Sequence, residues 1–433
     1  MRSVKIIGAG LAGSEAAYQL AKRGIHVTLY EMRPKKTTPA HSSGLFGELV
    51  CSNSLRSDQL KNAVGVMKEE MRLLDSLIMK AADKTRLEAG GALAVDREQF
   101  AEYITNVLKN HKNVAIVEEE ATEIPKDSPV IVASGPLTSD ALFSSVQAHT
   151  DEDSLFFFDA VAPIVTKDSI DFSIAYFKNR YEEGEGHYIN CPMDKNQYDR
   201  FYRTLITSPT VNVRDFEDQV FEACMPVETM AKRGRDTLRF GPLKPVGLEK
   251  DSEHKPHAVV QLRKDDARGN LYNLVGFQTH LTFPAQRNLL RMIPGLENVE
   301  IVRYGVMHRN TFLNAPKHLH ATYQSKHCAD VFFAGQITGV EGYVESAASG
   351  IVAGVNMARR LTGKSMLRFP KTTVIGAQAD YIASANPKRF QPMNANFGLL
   401  PELGLKLPKR KRKEAYAERA IDAMKAFRSE IDA

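Results

Sequence analysis

A chain of 433 residues, 43% of them hydrophobic, is long enough to bury a sizeable core and to divide into two or three domains. No stretch approaches a membrane span and the first residues run straight into an apolar strand, so neither a secretory leader nor a membrane anchor is expected and the cytoplasm is the expected compartment. The net charge of +5 does not by itself mark a nucleic-acid binder, and four cysteines without a CxxC pair provide neither a disulfide framework nor a zinc or other metal cluster.

The first strand, Val4 to Ile7, ends on the turn Gly8-Ala9-Gly10-Leu11-Ala12-Gly13. A helix from Ser14 to Arg23 follows, Gly24 closes it, and a second strand, Ile25 to Tyr30, leads to Glu31. This β-α-β unit predicts a dinucleotide site of the kind that holds FAD. Gly8 permits the tight turn, Gly10 lets the backbone approach a pyrophosphate, and Gly13 lets helix and strand pack closely. The helix N-terminus supplies phosphate donors, and Glu31 accepts from ribose hydroxyls.

Lys35 to Arg56 is loop-like and carries Cys51; a long helix is predicted over Leu60 to Ala82. Another helix begins at Asp96, where Asp96 and Gln99 form a capping-box pattern. Val114 to Val117 and Val130 to Ala133 read as buried strands, the second running into Ser134-Gly135-Pro136. From about Phe156 to Val302 the pattern changes to short β-prone runs, among them Val161 to Val165, Ala258 to Leu262 and Leu271 to Phe277. Val331 to Ala334 then runs into Gly335, Gly339 and Gly342, with a helix from Tyr343 to Leu361. The expected architecture is α/β: a Rossmann-like FAD domain of the glutathione-reductase type assembled from residues 1–155 and 304–433, with a mixed α/β domain inserted at 156–303. No second GxGxxG occurs, so no dedicated NAD(P)H domain is expected.

The last thirty residues hold nine basic against five acidic residues, most of the chain's excess charge. The run Lys409-Arg410-Lys411-Arg412-Lys413 precedes a helical pattern from Ala415 to Phe427. By composition it is either a solvated tail or a contact for a phosphate backbone. Cys51 lies in a polar loop near Arg56, and Cys224 stands among turn and polar residues; a thiol beside a cation or a helix N-terminus becomes nucleophilic. Cys191 and Cys328 read as small buried hydrophobes. A flavoprotein with two such thiols fits disulfide exchange as well as thiol-assisted alkylation of an electrophilic ring.

Over essentially its whole length the chain resembles the bacterial folate- and FAD-dependent tRNA (uracil-5-)-methyltransferases, the TrmFO family. The resemblance is carried by the glycine turn, Leu29-Tyr30-Glu31-Met32-Arg33-Pro34, Glu48 to Arg56, Gly90 to Arg97 and Asn190-Cys191-Pro192-Met193. It continues through Cys224 to Glu228, Gly241-Pro242-Leu243-Lys244-Pro245, Val275 to Thr279, Tyr304 to Asn310, Gly335 to Gly350 and Asn394 to Pro401. It implies methyl transfer to uridine 54 of the tRNA T-loop, with the one-carbon unit drawn from 5,10-methylenetetrahydrofolate and the hydride from FAD reduced by NAD(P)H.

The resemblance also implies the site. Cys51 corresponds to the nucleophile that adds to uracil carbon 6, and Cys224 to the general base. Gly8, Ala9, Gly10, Leu11, Ala12, Gly13, Glu31 and Arg33, with Gly335, Gln336, Gly342 and Tyr343, correspond to the FAD site. His308 and Arg309 are implied at the folate site. Lys232, Arg233, Arg235 and the run from Lys409 to Lys413 are implied as the RNA surface, since a T-loop base must leave its stack to react. The expected partner is tRNA through its T-arm, without an obligate protein partner. The same chemistry on a ribosomal RNA uridine is an alternative. The related wobble-uridine modification protein is another, although it carries a longer C-terminal helical region.

Overall fold

The computed structural model describes residues 2–38, 40–151, 155–160, 162–180, 186–211, 225–250, 255–305, 307–404 and 407–432, with the backbone alone at 155–160, 307–310, 409–410 and 432. Five parallel strands form the central sheet in the order Val331–Phe333, Val130–Val132, Ser3–Ile7, His26–Tyr30, Val114–Val117. Parallel sheets are covered on both faces, and Val130, Ile131, Val132, Phe332 and Phe333 are fully buried accordingly. The first strand stands in the middle, so the turn at its C-terminal end lies where the sheet changes direction, the usual ligand position of such sheets.

The two ends of the chain close on each other through small residues. A Cβ on Gly350 would come within 2.3 Å of the Ala12 carbonyl oxygen, and one on Gly354 within 3.0 Å of that of Ala16. Helix Tyr343–Leu361 thus lies directly against helix Leu11–Ala21, and the strand-glycine-helix unit of the C-terminal half completes the dinucleotide fold begun at the N-terminus. This is the predicted α/β, Rossmann-like arrangement.

A second sheet of six antiparallel strands runs Tyr176–Phe177, Tyr188–Met193, Ala258–Lys264, Leu271–Leu274, Ile164–Thr166, Ile301–Arg303. It has its own hydrophobic core drawn from residues 162–299. An antiparallel pair, Leu155–Ala160 with Met307–Phe312, carries the chain out of the central fold and back. Leu271–Leu274 is shorter than the predicted strand because Gly276, at φ 68°, turns the chain against Pro242. The strand predicted at Val161 to Val165 is Ile164–Thr166, while Val161 lies outside the described residues.

The long helix predicted over Leu60 to Ala82 is two helices, Ala63–Leu73 and Leu77–Lys84. The chain breaks at Asp75, whose φ of 60° leaves the helical region, and restarts on the Ser76 N-cap. Glu15, buried on the first helix, fixes that restart by accepting from Ser76 Oγ at 2.6 Å and from the Ile78 amide at 3.0 Å. At Asp96 only half of the capping box forms: its carboxylate takes the Gln99 amide, while its own N–H donates to Thr85. The basic run does not precede the last helix; it forms the opening turns of helix Lys409–Asp432.

Two buried charged groups give the fold a pH signature. Glu70 caps helix Val374–Ser384, accepting the Val374 and Ile375 amides at 2.7 and 2.9 Å, yet burial outweighs those donors and pushes its carboxyl up to about 8. Lys68 donates to the Leu55 and Ser57 carbonyls at 2.8 and 2.7 Å, and burial pulls it down to about 7. An acid raised in the fold stabilises below its unfolded pKa of roughly 4.3, and that stability is lost as pH rises through the folded value. A lysine depressed in the fold stabilises above roughly 10.4, and that stability is lost as pH falls through its folded value. Between about pH 5 and about pH 7, where Glu70 is ionised only in the unfolded chain and Lys68 is charged in both states, Glu70 should therefore make the melting temperature fall as pH rises, and Glu70→Gln should flatten that slope. Parallel melting slopes in the two proteins would contradict the assignment.

Candidate functional site

A cleft of about 1040 Å³ opens at the C-terminal ends of the parallel strands. Gly8, Gly10, Glu31, Arg33, Gly335 and Tyr343 are among the residues that line it, so both chain ends contribute. Gly8 has φ 96°, and a Cβ there would come within 2.5 Å of the Ala133 carbonyl oxygen. A Cβ on Gly13 would come within 1.8 Å of the Gly8 carbonyl oxygen, so strand and helix meet there without space for a side chain. A Cβ on Gly10 meets nothing within 4 Å, leaving open space at the N-terminus of helix Leu11–Ala21, which has no side-chain cap. An uncapped helix start below open space is an anion site, as a pyrophosphate requires.

Glu31 is buried and accepts the Ala9 amide at 3.0 Å and Arg33 Nε at 2.8 Å. Burial opposes its ionisation, but Arg33 and the two backbone donors hold its carboxyl below the usual range. Arg33 reaches on to Glu48 at 3.1 Å, and Glu48 gathers the amides and hydroxyls of Ser42 and Ser43. The acid at the end of the second strand is thus ionised and fixed, with lone pairs left for a hydroxyl donor. Gly335 has φ 82° and donates to Ser349 Oγ at 2.7 Å, Gln336 donates to Glu341 at 2.9 Å, and Gly342, at φ 113°, precedes the helix of Tyr343. The residues present fit a dinucleotide.

Cys51 sits beside this cleft, half-buried, in a segment clasped from several directions. The Tyr343 hydroxyl accepts the Cys51 amide at 2.6 Å and the Ser52 amide at 3.1 Å, tying the loop to the start of the closing helix. Arg97 donates to the carbonyls of Leu49 and, at 3.2 Å, Cys51, and is itself held by Asp265 at 3.0 Å. Arg303 takes the Val50 carbonyl at 3.0 Å; Arg263 takes Ser52 Oγ at 2.6 Å and Asn53 Oδ1 at 3.1 Å. Arg97 and Arg263 are coupled electrostatically to Cys51. Burial pushes the Tyr343 phenol up, and the Cys51 charge pushes it further in the same direction. None of Arg97, Arg263, Arg303 and Asp265 was assigned a role from sequence; the run ending in Val95-Asp96-Arg97 carried the only hint.

Cys224 lies outside the described residues, but the helix after it, Val227–Lys232, is held by Glu228, whose buried carboxylate accepts Thr279 Oγ1 at 2.9 Å and the His280 amide at 2.7 Å. His308 and Arg309 stand on the strand Met307–Phe312, paired opposite Asp159 and Phe158; their side chains lie outside the described residues. Cys191 is in the second core, where burial pushes its thiol up. Cys328 is exposed, contrary to expectation, because it lies in the turn from Lys326 to Asp330, which projects into solvent before the strand begins.

Lys232 and Arg233 are exposed at the end of helix Val227–Lys232. Arg235 is exposed too, but Asp199 pairs with it and compensates its charge. Lys411 and Arg412 are exposed on the last helix, Lys413 is half-buried, and the side chains of Lys409 and Arg410 lie outside the described residues. Among the described residues no group of three or more His, Cys, Asp or Glu is arranged to hold a metal, and no helix is long and apolar enough to cross a membrane.

The parallel sheet, its glycine turn and the cleft shared by both chain ends define a Rossmann-like protein of the FAD-binding class. A family model described as glucose inhibited division protein A, GIDA, matches residues 3–365. The chain is 59% identical over 433 residues to the methylenetetrahydrofolate--tRNA-(uracil-5-)-methyltransferase TrmFO of Bacillus subtilis (strain 168), covering 99% of each chain. It is 61% identical over 427 residues to that of Anoxybacillus flavithermus (strain DSM 21510 / WK1), covering 98% of this chain and 99% of that one. The GidA structure of Aquifex aeolicus in its form II crystal shares the fold, with a TM-score of 0.69 at 18% identity over 99% of this chain and 74% of that one. The chain belongs to the GidA family and, within it, to the TrmFO family.

Proposed function

We propose that this chain transfers the one-carbon unit of 5,10-methylenetetrahydrofolate to carbon 5 of uridine 54 in the T-loop of tRNA, acting in the cytoplasm on the T-arm without an obligate protein partner. The observation that carries this reading is the position of Cys51: a thiol residue held by Tyr343 beside the dinucleotide cleft and coupled to Arg97 and Arg263. Disulfide exchange and addition to a uracil ring both use a thiolate, so this setting suits Cys51 for either. The names of the TrmFO relatives support the substrate and the donor.

The residues of the cleft fit FAD, with Gly8 to Gly13 at the phosphates, Glu31 at a ribose, and Gly335, Gln336, Gly342 and Tyr343 on the side of the closing helix. Bound FAD supplies the hydride that turns the transferred carbon into a methyl group, NAD(P)H being the reductant. Cys51 adds to carbon 6 of the uracil, and the displaced electron pair passes to the carbon 4 oxygen, making carbon 5 an enolate carbon able to attack the folate methylene. Arg97 and Arg263 place positive charge beside the segment that carries the attacking sulfur. Cys224 takes the carbon 5 proton as the carbon–nitrogen bond to tetrahydrofolate breaks, and the Cys51 thiolate leaves once the resulting exocyclic methylene has received its hydride. His308 and Arg309 serve the folate, and residues 156–303 form the inserted domain of the proposed boundaries.

The RNA surface includes Lys232, Arg233 and the run from Lys409 to Lys413. Five cations in the opening turns of a helix that has no acidic residue there repel the positive end of the helix dipole. That arrangement is stabilised when a polyanion lies against it. The deciding experiment offers the purified protein methylenetetrahydrofolate and NADPH together with unmodified transcripts of tRNA and of 23S rRNA, and follows 5-methyluridine by mass spectrometry. Methylation of tRNA is expected; methylation of the rRNA alone would replace the substrate, and label arriving from S-adenosylmethionine would sink the chemistry.

A further inference from the structure

Among the exposed large hydrophobic side chains of this protein, Phe240 stands out, with 84% of its surface in solvent. It ends the short helix Thr237–Phe240, whose Leu238 points into the second core and is fully buried. Burying a phenylalanine is worth roughly 1.5–3 kcal/mol, so fold stability does not account for a ring held outside.

The segment that follows is fastened rather than loose. Tyr176 and Lys178 bind the carbonyls of Leu248 and Glu249, while Arg180 binds those of Val246 and, at 2.8 Å, Lys244, and reaches Gln261 at 3.2 Å. Three side chains at alternate positions of one extended stretch thus pin residues 244–249 across the second sheet. On the other side the Leu243 amide donates to the Leu238 carbonyl at 2.9 Å, and a Cβ on Gly241 would lie 3.8 Å from the Met230 sulfur on helix Val227–Lys232. That helix ends in the exposed Lys232 and Arg233 and begins three residues after Cys224.

We propose that Phe240 is a stacking platform for an unpaired base of the RNA substrate, with the cations of the neighbouring helix end against the adjacent phosphates. The proposal rests on the RNA-methylating reading and adds to it a residue that positions the substrate without touching the chemistry. A solvent-facing aromatic ring on a helix in contact with one that ends in cationic side chains is what single-stranded nucleic acid recognises, since every base has a face that stacks. Base flipping from a T-loop leaves such a base unstacked nearby.

The test compares Phe240→Ala, Phe240→Leu and Phe240→Trp with the wild type for KM and kcat on an unmodified tRNA transcript, at several salt concentrations. Phe240→Ala and Phe240→Leu should raise KM roughly 5- to 100-fold with kcat, FAD content and melting temperature unchanged, and Phe240→Trp should keep the wild-type KM. The slope of log KM against log salt should stay the same in the ring variants and fall in Lys232→Ala, because the ring carries no charge. An unchanged KM in Phe240→Ala, a wild-type KM in Phe240→Leu, or a loss confined to kcat would each overturn the platform while leaving the methylation reading intact. If the wild type itself methylates neither transcript, the underlying reading fails instead.

Discussion

Replacing Cys51 by alanine is expected to lower tRNA methylation by on the order of 10⁴-fold or more while leaving the protein yellow and folded. Uracil carbon 5 is a poor nucleophile until a thiolate saturates the ring at carbon 6, so no neighbouring side chain substitutes for the sulfur. The fold should be indifferent, because the hydrogen bonds that fix this residue use its amide, to Tyr343, and its carbonyl, from Arg97. Alanine keeps both. FAD content and melting temperature should therefore match the wild type, and turnover with methylenetetrahydrofolate and NADPH is the readout. Residual activity within tenfold of wild type would remove Cys51 as nucleophile. With a trapped RNA adduct followed by mass, loss of the adduct in Cys51→Ala and its retention in Cys224→Ala would divide the two roles as proposed.

Much of the dinucleotide site is legible in the sequence because its determinants are local. Gly8, Gly10 and Gly13 act through backbone geometry within six residues, and Glu31 stands at the end of the very next strand. Helix Tyr343–Leu361 shows in its own periodicity and has the predicted bounds. The clasp around Cys51 is not legible, because Arg97, Arg263 and Arg303 reach it from 46 to 253 residues away along the chain, and no periodicity encodes a partner at that distance. The break at Asp75 was hidden for the same reason: it depends on Glu15, sixty-one residues before Ser76. Arg235 reads as a cation for RNA until Asp199 is found beside it. A burial pattern misled at Cys328, whose residue type favours the interior while its turn does not.

Arg97 should show how much the clasp contributes. Its guanidinium meets Asp265 through Nε at 3.0 Å and Nη2 at 3.0 Å, and the same group binds the carbonyls that flank Val50. Both partners are largely buried, with side-chain exposures of 15% for Arg97 and 4% for Asp265, so removing one leaves an uncompensated charge at a cost of about 3–5 kcal/mol. Arg97→Ala and Asp265→Ala should each lower the melting temperature sharply. The double variant Arg97→Ala/Asp265→Ala should recover much of that loss, since neither charge is then left alone. Activity should not recover with it, because the carbonyls of Leu49 and Cys51 have still lost their donor and a nucleophile displaced by about 1 Å forfeits roughly 10²-fold in rate. Arg97→Lys should behave like Arg97→Ala in turnover, as a single ammonium cannot serve a carboxylate and two carbonyls in the fork geometry of arginine. A double variant that regains methylation together with its melting temperature would show that Arg97 stabilises the fold and does not aim Cys51.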